Sequence, residues 1–168
     1  MKQLNFNDKR ILKSLLDKTK TTTIRKAWNG VPTRLAVYDY YRHEDIDKPC
    51  KYKVGEIVEA VWTGDEDSIE VDCGTHLDYY SKNLGKVKIT KIEKIEIYKE
   101  QHEMFDMFMI TKGNAKIGYR KPGIPERTTL SDSEGFRDYQ EMFEFLEEYS
   151  DGLKEAKPFW LITMEWIK

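Results

Sequence analysis

The chain has 168 residues, the usual length of one domain, and 39% of them are hydrophobic. Its 4 Trp, 7 Phe and 10 Tyr supply enough bulky apolar material for a packed core, which excludes a disordered tail, a collagen-like fibre and a disulfide-stapled mini-protein. Lys and Arg total 28 and Asp and Glu total 30, so the net charge of −2 excludes a uniformly basic nucleic-acid coat but leaves room for a basic patch on one face.

The two cysteines and the N-terminus indicate a compartment. Cys50 and Cys73 are too few for a disulfide framework and are typical of thiols in a reducing compartment, with one optional bridge. No apolar run is long enough to span a bilayer, and residues 1–10 lack the apolar stretch of a signal peptide. We therefore expect a soluble cytoplasmic protein without a membrane partner.

The N-terminal region predicts a short helix followed by a strand. Asn7 or Asp8 can cap the helix. Its apolar stripe consists of Ile11, Leu12, Leu15 and Leu16. Residues 20–25 read Lys-Thr-Thr-Thr-Ile-Arg, and four consecutive β-branched residues favour an extended strand. Residues 26–53 show no clear period and predict a long ordered excursion with a short strand at Arg34–Tyr38.

Strand patterns dominate the middle of the chain. Residues 54–62 and 69–73 predict two strands, and residues 85–90 continue with Ile95 and Ile97 on one face. Ile92 breaks this alternation, which predicts a bulge or a second inner face there.

The C-terminal third predicts two helices and a closing strand. Lys99–Ile110 predicts a helix with Met104, Phe105, Phe108 and Met109 facing inward, and residues 113–129 predict a loop. A second helix has an apolar stripe of Phe136, Tyr139, Phe143, Leu146 and Tyr149. Residues 158–166 predict a strand that directs Trp160 and Trp166 to the core. This order predicts one α+β domain over residues 1–168, built on a small antiparallel β-barrel of about five to six strands with flanking helices.

The two ends of the chain carry opposite charge. Residues 1–26 hold eight Lys or Arg against two Asp, a net charge of +6, and residues 132–155 hold nine acidic against two basic residues, a net charge of −7. One interpretation is a pair of solvated helix faces with weak mutual attraction. The other is a cationic rim beside the barrel that holds a phosphate or an RNA strand.

The segment around Lys20 is the strongest candidate for chemistry. On a strand, Thr21, Thr23 and Arg25 share one face, and Lys20 can reach that face from the preceding turn. A threonine hydroxyl becomes a nucleophile when a base takes its proton, and a lysine serves as that base when burial or a cationic neighbour lowers its pKa. Arg25 can supply part of that field and hold an oxyanion or phosphate. The alternative is a surface strand in which these residues serve β-propensity and solubility.

Glu134 is the second candidate. The pattern Ser131-x-x-Glu134 fits a capping box, which is the structural alternative. Gly135 follows at once, and an early helix glycine is costly unless a backbone must come close to another group.

Metal and aromatic sites have weaker support. Cys73 and His76, with Cys50 and His43, include no CxxC or HExxH pattern, so we predict no metal and no cofactor. Trp28 and Trp62 lie near predicted loops with Tyr79 and Tyr80 and can stack on a base. We therefore count the two tryptophans as candidate ligand-binding residues.

Four motifs in order resemble ASCH domains, a branch of the PUA-like superfamily. Residues 18–25 resemble the GxKTxTIR signature, and residues 54–56 resemble the xGD turn that follows it. Residues 85–92 resemble the central strand, and Glu134-Gly135-Phe136, the following helix and residues 158–162 resemble the closing EGF, helix and FxVI segment. Lys18 stands where the signature has glycine and Glu56 where it has Asp, and insertions at about 26–53 and 99–130 exceed the length of compact members.

The resemblance implies a small β-barrel whose cleft faces RNA or a nucleoside. Some small bacterial members are amidohydrolases that remove the acetyl group from N4-acetylcytidine, using a lysine and a threonine of the signature and a glutamate before the last helix. These roles fall on Lys20 as base, Thr23 as nucleophile and Glu134 as acid, with Arg25 as the signature arginine. We expect such an enzyme, or alternatively a non-catalytic RNA-binding module or a ribonuclease.

Overall fold

In the part of the chain that the structure describes, seven strands and three helices form a mixed α and β architecture, as predicted. The computed structural model describes residues 1–27, 48–64, 81–121, 129–150, 152–153 and 156–168. The strands are β1 Gln3–Phe6, β2 Thr22–Lys26, β3 Ile57–Trp62, β4 Lys82–Gln101, β5 Asp106–Lys112, β6 Ala115–Lys121 and β7 Lys157–Trp166. The helices are α1 Leu12–Leu16, which follows a 3-10 turn at Lys9–Ile11, α2 Thr129–Glu134 and α3 Tyr139–Tyr149.

The strands form one mostly antiparallel sheet. Along it the order is β1-β3-β4-β5-β6, while β7 pairs with β4 and β2 pairs with β7. Only the β1–β3 pair is parallel among the described ladders. These ladders do not close into a ring, so the predicted barrel is not confirmed.

The 20-residue strand β4 organises the sheet. Its first half pairs with β3, its centre with β7 and its last residues with β5. The β4–β7 register shifts between Ile89 and Lys91, close to the irregularity that Ile92 predicts. The strands predicted at residues 20–25, 54–62, 85–90 and 158–166 are confirmed as β2, β3, part of β4 and β7. The predicted strands at 34–38 and 69–73 lie outside the described residues.

The predicted helix at Lys99–Ile110 is wrong. The chain continues β4 to Gln101, turns, and returns as β5, in which Phe108 and Ile110 are buried at period two while Met104 in the turn is 84% exposed. Part of the predicted loop at 113–129 is instead β6. The resulting hairpin supports α3, since Phe108 stacks on Phe143 with a centroid distance of 4.4 Å.

The predicted C-terminal helix is two helices with a link between them. Phe136 lies in the link, and α3 begins after Asp138, whose side chain accepts a hydrogen bond from the Glu141 amide. Tyr139, Met142, Phe143 and Leu146 are the buried residues of α3. Their spacing buries one face of α3 in the core that also contains residues of β3, β4, β5 and β7.

Candidate active site

Lys20 lies in the short link between α1 and β2, and three other segments hold its backbone. Its amide donates to the Ser14 carbonyl in α1 at 3.2 Å, and its carbonyl accepts from the Trp166 indole Nε1 at 2.8 Å. The next amide, that of Thr21, donates to the Ser133 carbonyl of α2 at 2.8 Å. These bonds fix the direction in which the Lys20 side chain leaves the backbone, and that side chain is only 1% exposed.

Glu134 is brought to Lys20 by the way α2 ends. The Gly135 amide donates to the Asp132 carbonyl and the Phe136 amide to the Ser131 carbonyl, which is the Schellman pattern of a helix C-terminus. Gly135 has a φ of +87°, and a Cβ there would lie 2.0 Å from Ser14 Oγ. Glycine therefore lets α2 end directly against α1, which is the close backbone approach that its position in the sequence indicated.

The capping-box alternative for Glu134 is wrong. Ser131 is a buried residue inside α2 and Glu134 is the last residue of that helix, so neither stands at a helix N-terminus. α2 is held against β2 instead, by a 3.0 Å hydrogen bond between the Ser133 and Thr22 hydroxyls.

Lys20 and Glu134 form a buried ion pair. Lys20 Nζ lies 2.8 Å from Glu134 Oε2 and also donates to the Glu134 backbone carbonyl, and the side chains are 1% and 4% exposed. Burial lowers the pKa of the Lys20 amine below its usual 10.5, and the charge of Arg25 acts in the same direction. Glu134 opposes both effects. The net lowering of the pKa favours a neutral amine, which is the form a general base needs.

Arg25 extends from β2 over the ring of Phe6, with its guanidinium carbon 5.1 Å from the ring centroid. Its Nη2 donates to the Asn5 carbonyl at 2.6 Å. Two atoms here are buried and have no hydrogen-bond partner in the described part of the chain: Arg25 Nε, a donor, and Glu134 Oε1, an acceptor in the carboxylate. Buried polar atoms are normally paired with protein or water, so these two mark a place where a water or a polar group of a ligand can bind.

A small cavity of about 130 Å³ collects the predicted catalytic residues. Lys20, Thr23, Arg25 and Glu134 all line it, and Thr23 is 4% exposed. Phe6, Ile11, Ile24, Phe136 and Phe145 are among the apolar residues that enclose it. The structure therefore places the three predicted catalytic side chains and Arg25 around one small cavity.

A second, larger cavity of about 450 Å³ shares Arg25 and Tyr149 with the small one. The two residues thus form the boundary between an inner cavity with the ion pair and an outer cavity toward solvent. The remaining lining of the outer cavity is Lys26, Lys48, Pro49, Cys50, Lys51, Tyr52, Trp160 and Ile162. The outer volume lies in the range of small-molecule sites, whereas the inner one fits only a single functional group.

Three predicted ligand-binding residues have different outcomes. Thr21 is exposed and does not line either cavity, because β2 begins only at Thr22 and Thr21 does not continue its face. Trp62 is 0% exposed and belongs to the hydrophobic core, so it offers no exposed ring face on which a base could stack. Trp28 lies outside the described residues, as do Tyr79 and Tyr80.

Sequence reasoning missed three residues that shape the site. Asn5 and Phe6 come from β1, whose four-residue alternation of exposed and buried positions was a short but readable strand pattern. Tyr149 was assigned to the core stripe of α3, yet it lines both cavities, and its ring lies 4.6 Å from Lys26 Nζ. Trp160 and Trp166 were predicted to be core and are half-buried.

The cationic N-terminal segment is partly neutralised. Lys20 pairs with Glu134, Lys2 with Glu56 at 2.9 Å, and Arg10 with Asp8 at 2.7 Å. Arg10 also reaches Glu148 of the acidic C-terminal segment at 2.9 Å. Arg10 therefore fits the interpretation in which the basic and acidic segments attract each other. The cations of the outer cavity form a separate group.

Neither a metal cluster nor a membrane-spanning helix is found in the parts of the chain that the structure describes. There, no three His, Cys, Asp or Glu side chains come together in a way that could hold a metal ion. Cys50 is a free, half-buried thiol, while Cys73, His43 and His76 lie outside those ranges. No described helix is long and apolar enough to cross a bilayer.

Comparisons with protein-family models, with curated proteins and with solved structures find no match to this chain.

Proposed function

We propose that this protein hydrolyses the amide bond of an acylated nucleoside, such as N4-acetylcytidine. The observation that carries the proposal is the buried Lys20–Glu134 pair, which shares a 130 Å³ cavity with the Thr23 side chain. A nucleophile, a base and an acid are the groups that amide hydrolysis without a metal requires. A buried ion pair is weak evidence for stability, so its placement beside a nucleophile favours a chemical role.

One proton shift inside the pair supplies the base and the acid together. Transfer of the proton across the 2.8 Å contact converts the ammonium and carboxylate into a neutral amine and a carboxylic acid, with no change in total charge. Lys20 can then accept a proton while Glu134 donates one.

The reaction has two steps. Thr23 Oγ attacks the amide carbonyl and its proton passes to Lys20, while Glu134 gives a proton to the leaving nitrogen as the C–N bond breaks. The products of this step are the free amine of the base and an ester on Thr23. Water then cleaves the ester, which releases the acid and restores the Thr23 hydroxyl.

The two unpartnered atoms match the polarity of an amide. Arg25 Nε–H can donate to the carbonyl oxygen, on which negative charge develops during attack. Glu134 lines the same cavity, and its unpartnered Oε1 can exchange a hydrogen bond with the amide nitrogen. An amide in this position satisfies both atoms, since it presents an acceptor and a donor.

The resemblance to ASCH domains supports the same catalytic residues. It also implies a more specific fold for the sheet. The lysine, threonine and glutamate that it singles out are the ones that line the inner cavity. We propose that the seven-stranded sheet is a PUA-like barrel, with β2, β4 and β7 as its centre.

The test is release of cytidine from N4-acetylcytidine, followed by chromatography. We expect Thr23→Ala and Glu134→Gln to lower the rate by about 10²-fold or more. Thr21→Ala is the matched control, because Thr21 is exposed and lines neither cavity, and it should keep the wild-type rate. Full activity in Thr23→Ala rules out Thr23 as the nucleophile. No release by the folded wild-type protein overturns the enzyme proposal and favours the non-catalytic RNA-binding alternative.

A further inference from the structure

The outer cavity combines cations with aromatic rings. Among its described lining residues are four cations, Arg25, Lys26, Lys48 and Lys51, and none is Asp or Glu. This is unusual in a chain whose acidic residues outnumber its basic ones by two. A cavity lined by one sign of charge attracts ligands of the opposite sign.

Three of the four cations in this cavity keep their charge available to a ligand. Within the described ranges, neither Arg25, Lys48 nor Lys51 forms an ion pair, whereas Lys2 and Arg10 outside the cavity do. Lys48 and Lys51 are exposed, so a ligand can reach their ammonium groups. An anion bound here would meet these three charges, and among the described residues it would displace no carboxylate.

The aromatic side of the cavity is held in place. Trp160 Nε1 donates to the Lys48 carbonyl at 3.0 Å, and the Tyr52 hydroxyl donates to the Gln3 carbonyl at 2.8 Å. Each ring is thus tied to the backbone of another segment. Fixed rings beside cations are the combination that binds a base or sugar together with its phosphate.

From these contacts we propose that the outer cavity binds a phosphate group, so that the substrate is a nucleotide, not a free nucleoside. This inference rests on the proposed function, because it places only the acyl amide of the base in the inner cavity, and the rest of the nucleotide in the outer cavity with its phosphate beside Lys48 and Lys51. Arg25 borders both spaces and sets the reacting amide next to the part of the ligand that carries the charge.

A mononucleotide fits the observations better than an RNA strand. The outer cavity of about 450 Å³ has the volume of a small-molecule site. A strand needs a basic groove that follows its backbone, but several cations of the N-terminal segment, Lys2, Arg10 and Lys20, are already paired with acids.

Calorimetric titration of the intact protein tests this with cytidine 5′-monophosphate, cytidine and a short oligocytidylate as probes. We expect the monophosphate to bind at least about tenfold more tightly than cytidine, because its phosphate accepts charge-assisted hydrogen bonds from the lysines of the cavity. Lys48→Gln/Lys51→Gln should remove most of this difference in affinity between the monophosphate and cytidine. Lys53→Gln, an exposed lysine that does not line the cavity, is the matched control and should keep it.

Equal affinity for the monophosphate and cytidine overturns the proposal. So does a Lys48→Gln/Lys51→Gln variant that still binds the monophosphate about tenfold more tightly than cytidine. An oligocytidylate that binds far more tightly than the monophosphate also overturns it, in favour of a strand-binding groove. Failure of the proposed function gives a different result. If the monophosphate binds more tightly than cytidine but acetylated cytidine is not hydrolysed, the anion site is supported and the enzyme proposal is not. If acetylated cytidine is hydrolysed but the monophosphate and cytidine bind equally well, the enzyme proposal is supported and the anion site is excluded.

Discussion

Lys20 and Glu134 are two ionisable groups in a buried position, where either one without the other would destabilise the folded chain. Both side chains are nearly inaccessible, and Lys20 Nζ contacts both the carboxylate and the carbonyl of Glu134. Because each partner solvates the other, the loss of one leaves a buried group without its partner, whereas the loss of both leaves an ordinary apolar contact. The pair thus links the chemistry of the site to the stability of the fold.

Single and double substitutions should separate these contributions. We expect Lys20→Met to lower the free energy of unfolding by about 3 kcal/mol, because Glu134 is left buried and unpaired, and Lys20→Met/Glu134→Leu to recover most of that loss. Urea denaturation measures both. Lys91→Met is the control, since Lys91 is 60% exposed in its pair with Glu93 and should cost at most about 1 kcal/mol. A Lys20→Met cost as small as that of Lys91→Met would contradict this account.

At the residue scale, the sequence predicts most of the polar residues that line the inner cavity, but few of the residues around them. Residue types and strand spacing single out Lys20, Thr23 and Arg25, because these lie within six residues of one another. Glu134 is 114 residues from Lys20, and only the family resemblance brings the two together. The burial of Trp62 in the hydrophobic core depends on contacts with distant residues, which no local pattern reports.

At the scale of elements, the site depends on how α2 meets α1. Gly135 ends α2 with a φ of +87°, and an added Cβ would lie 2.0 Å from Ser14 Oγ and 2.9 Å from Ser14 Cβ. Ser14 also accepts the amide of Lys20 through its carbonyl. Any shift of α2 away from α1 therefore moves Glu134 relative to Lys20.

Gly135→Ala should consequently reduce both stability and activity. We expect a loss of about 2–3 kcal/mol, combining the left-handed backbone with the clash. Gly113→Ala is the matched control: its φ is +60° but no atom lies within 4 Å of the added Cβ, so it should cost about 1 kcal/mol and leave activity unchanged. Thermal denaturation and cytidine release measure the two effects. Partial rescue of Gly135→Ala by Ser14→Gly would identify the clash as the cause, and equal costs at the two glycines would exclude it.

The error over residues 99–110 has a physical origin at the same scale. The segment carries Met104, Phe105, Phe108 and Met109 at helical spacing, but Phe108 and Ile110 also fit a period of two. The structure selects the strand because β5 completes a ladder with β4 and covers Phe143 of α3. Pairing with a distant partner decides between two local patterns that are otherwise equally good.

At the scale of the whole molecule, the burial of Lys20 makes stability depend on pH. Its pKa in the folded chain lies below the usual 10.5, so between that lowered pKa and 10.5 the unfolded state binds more protons than the folded state. Stability must then rise with pH across this window. The direction is opposite to that of a surface lysine paired with a carboxylate, whose pKa is raised on folding.

Comparison with a variant that lacks the pair isolates this dependence from other titrating groups. We expect the free energy of unfolding of the wild type, minus that of Lys20→Met/Glu134→Gln, to increase as pH rises toward 10.5, the usual pKa of a lysine. The slope cannot exceed about 1.4 kcal/mol per pH unit, the value for one proton. Urea denaturation at several pH values in this range measures the difference. A difference that is flat or falls with pH would show that Lys20 keeps an ordinary pKa, and a lysine with an ordinary pKa is charged at neutral pH and cannot serve as the base for Thr23.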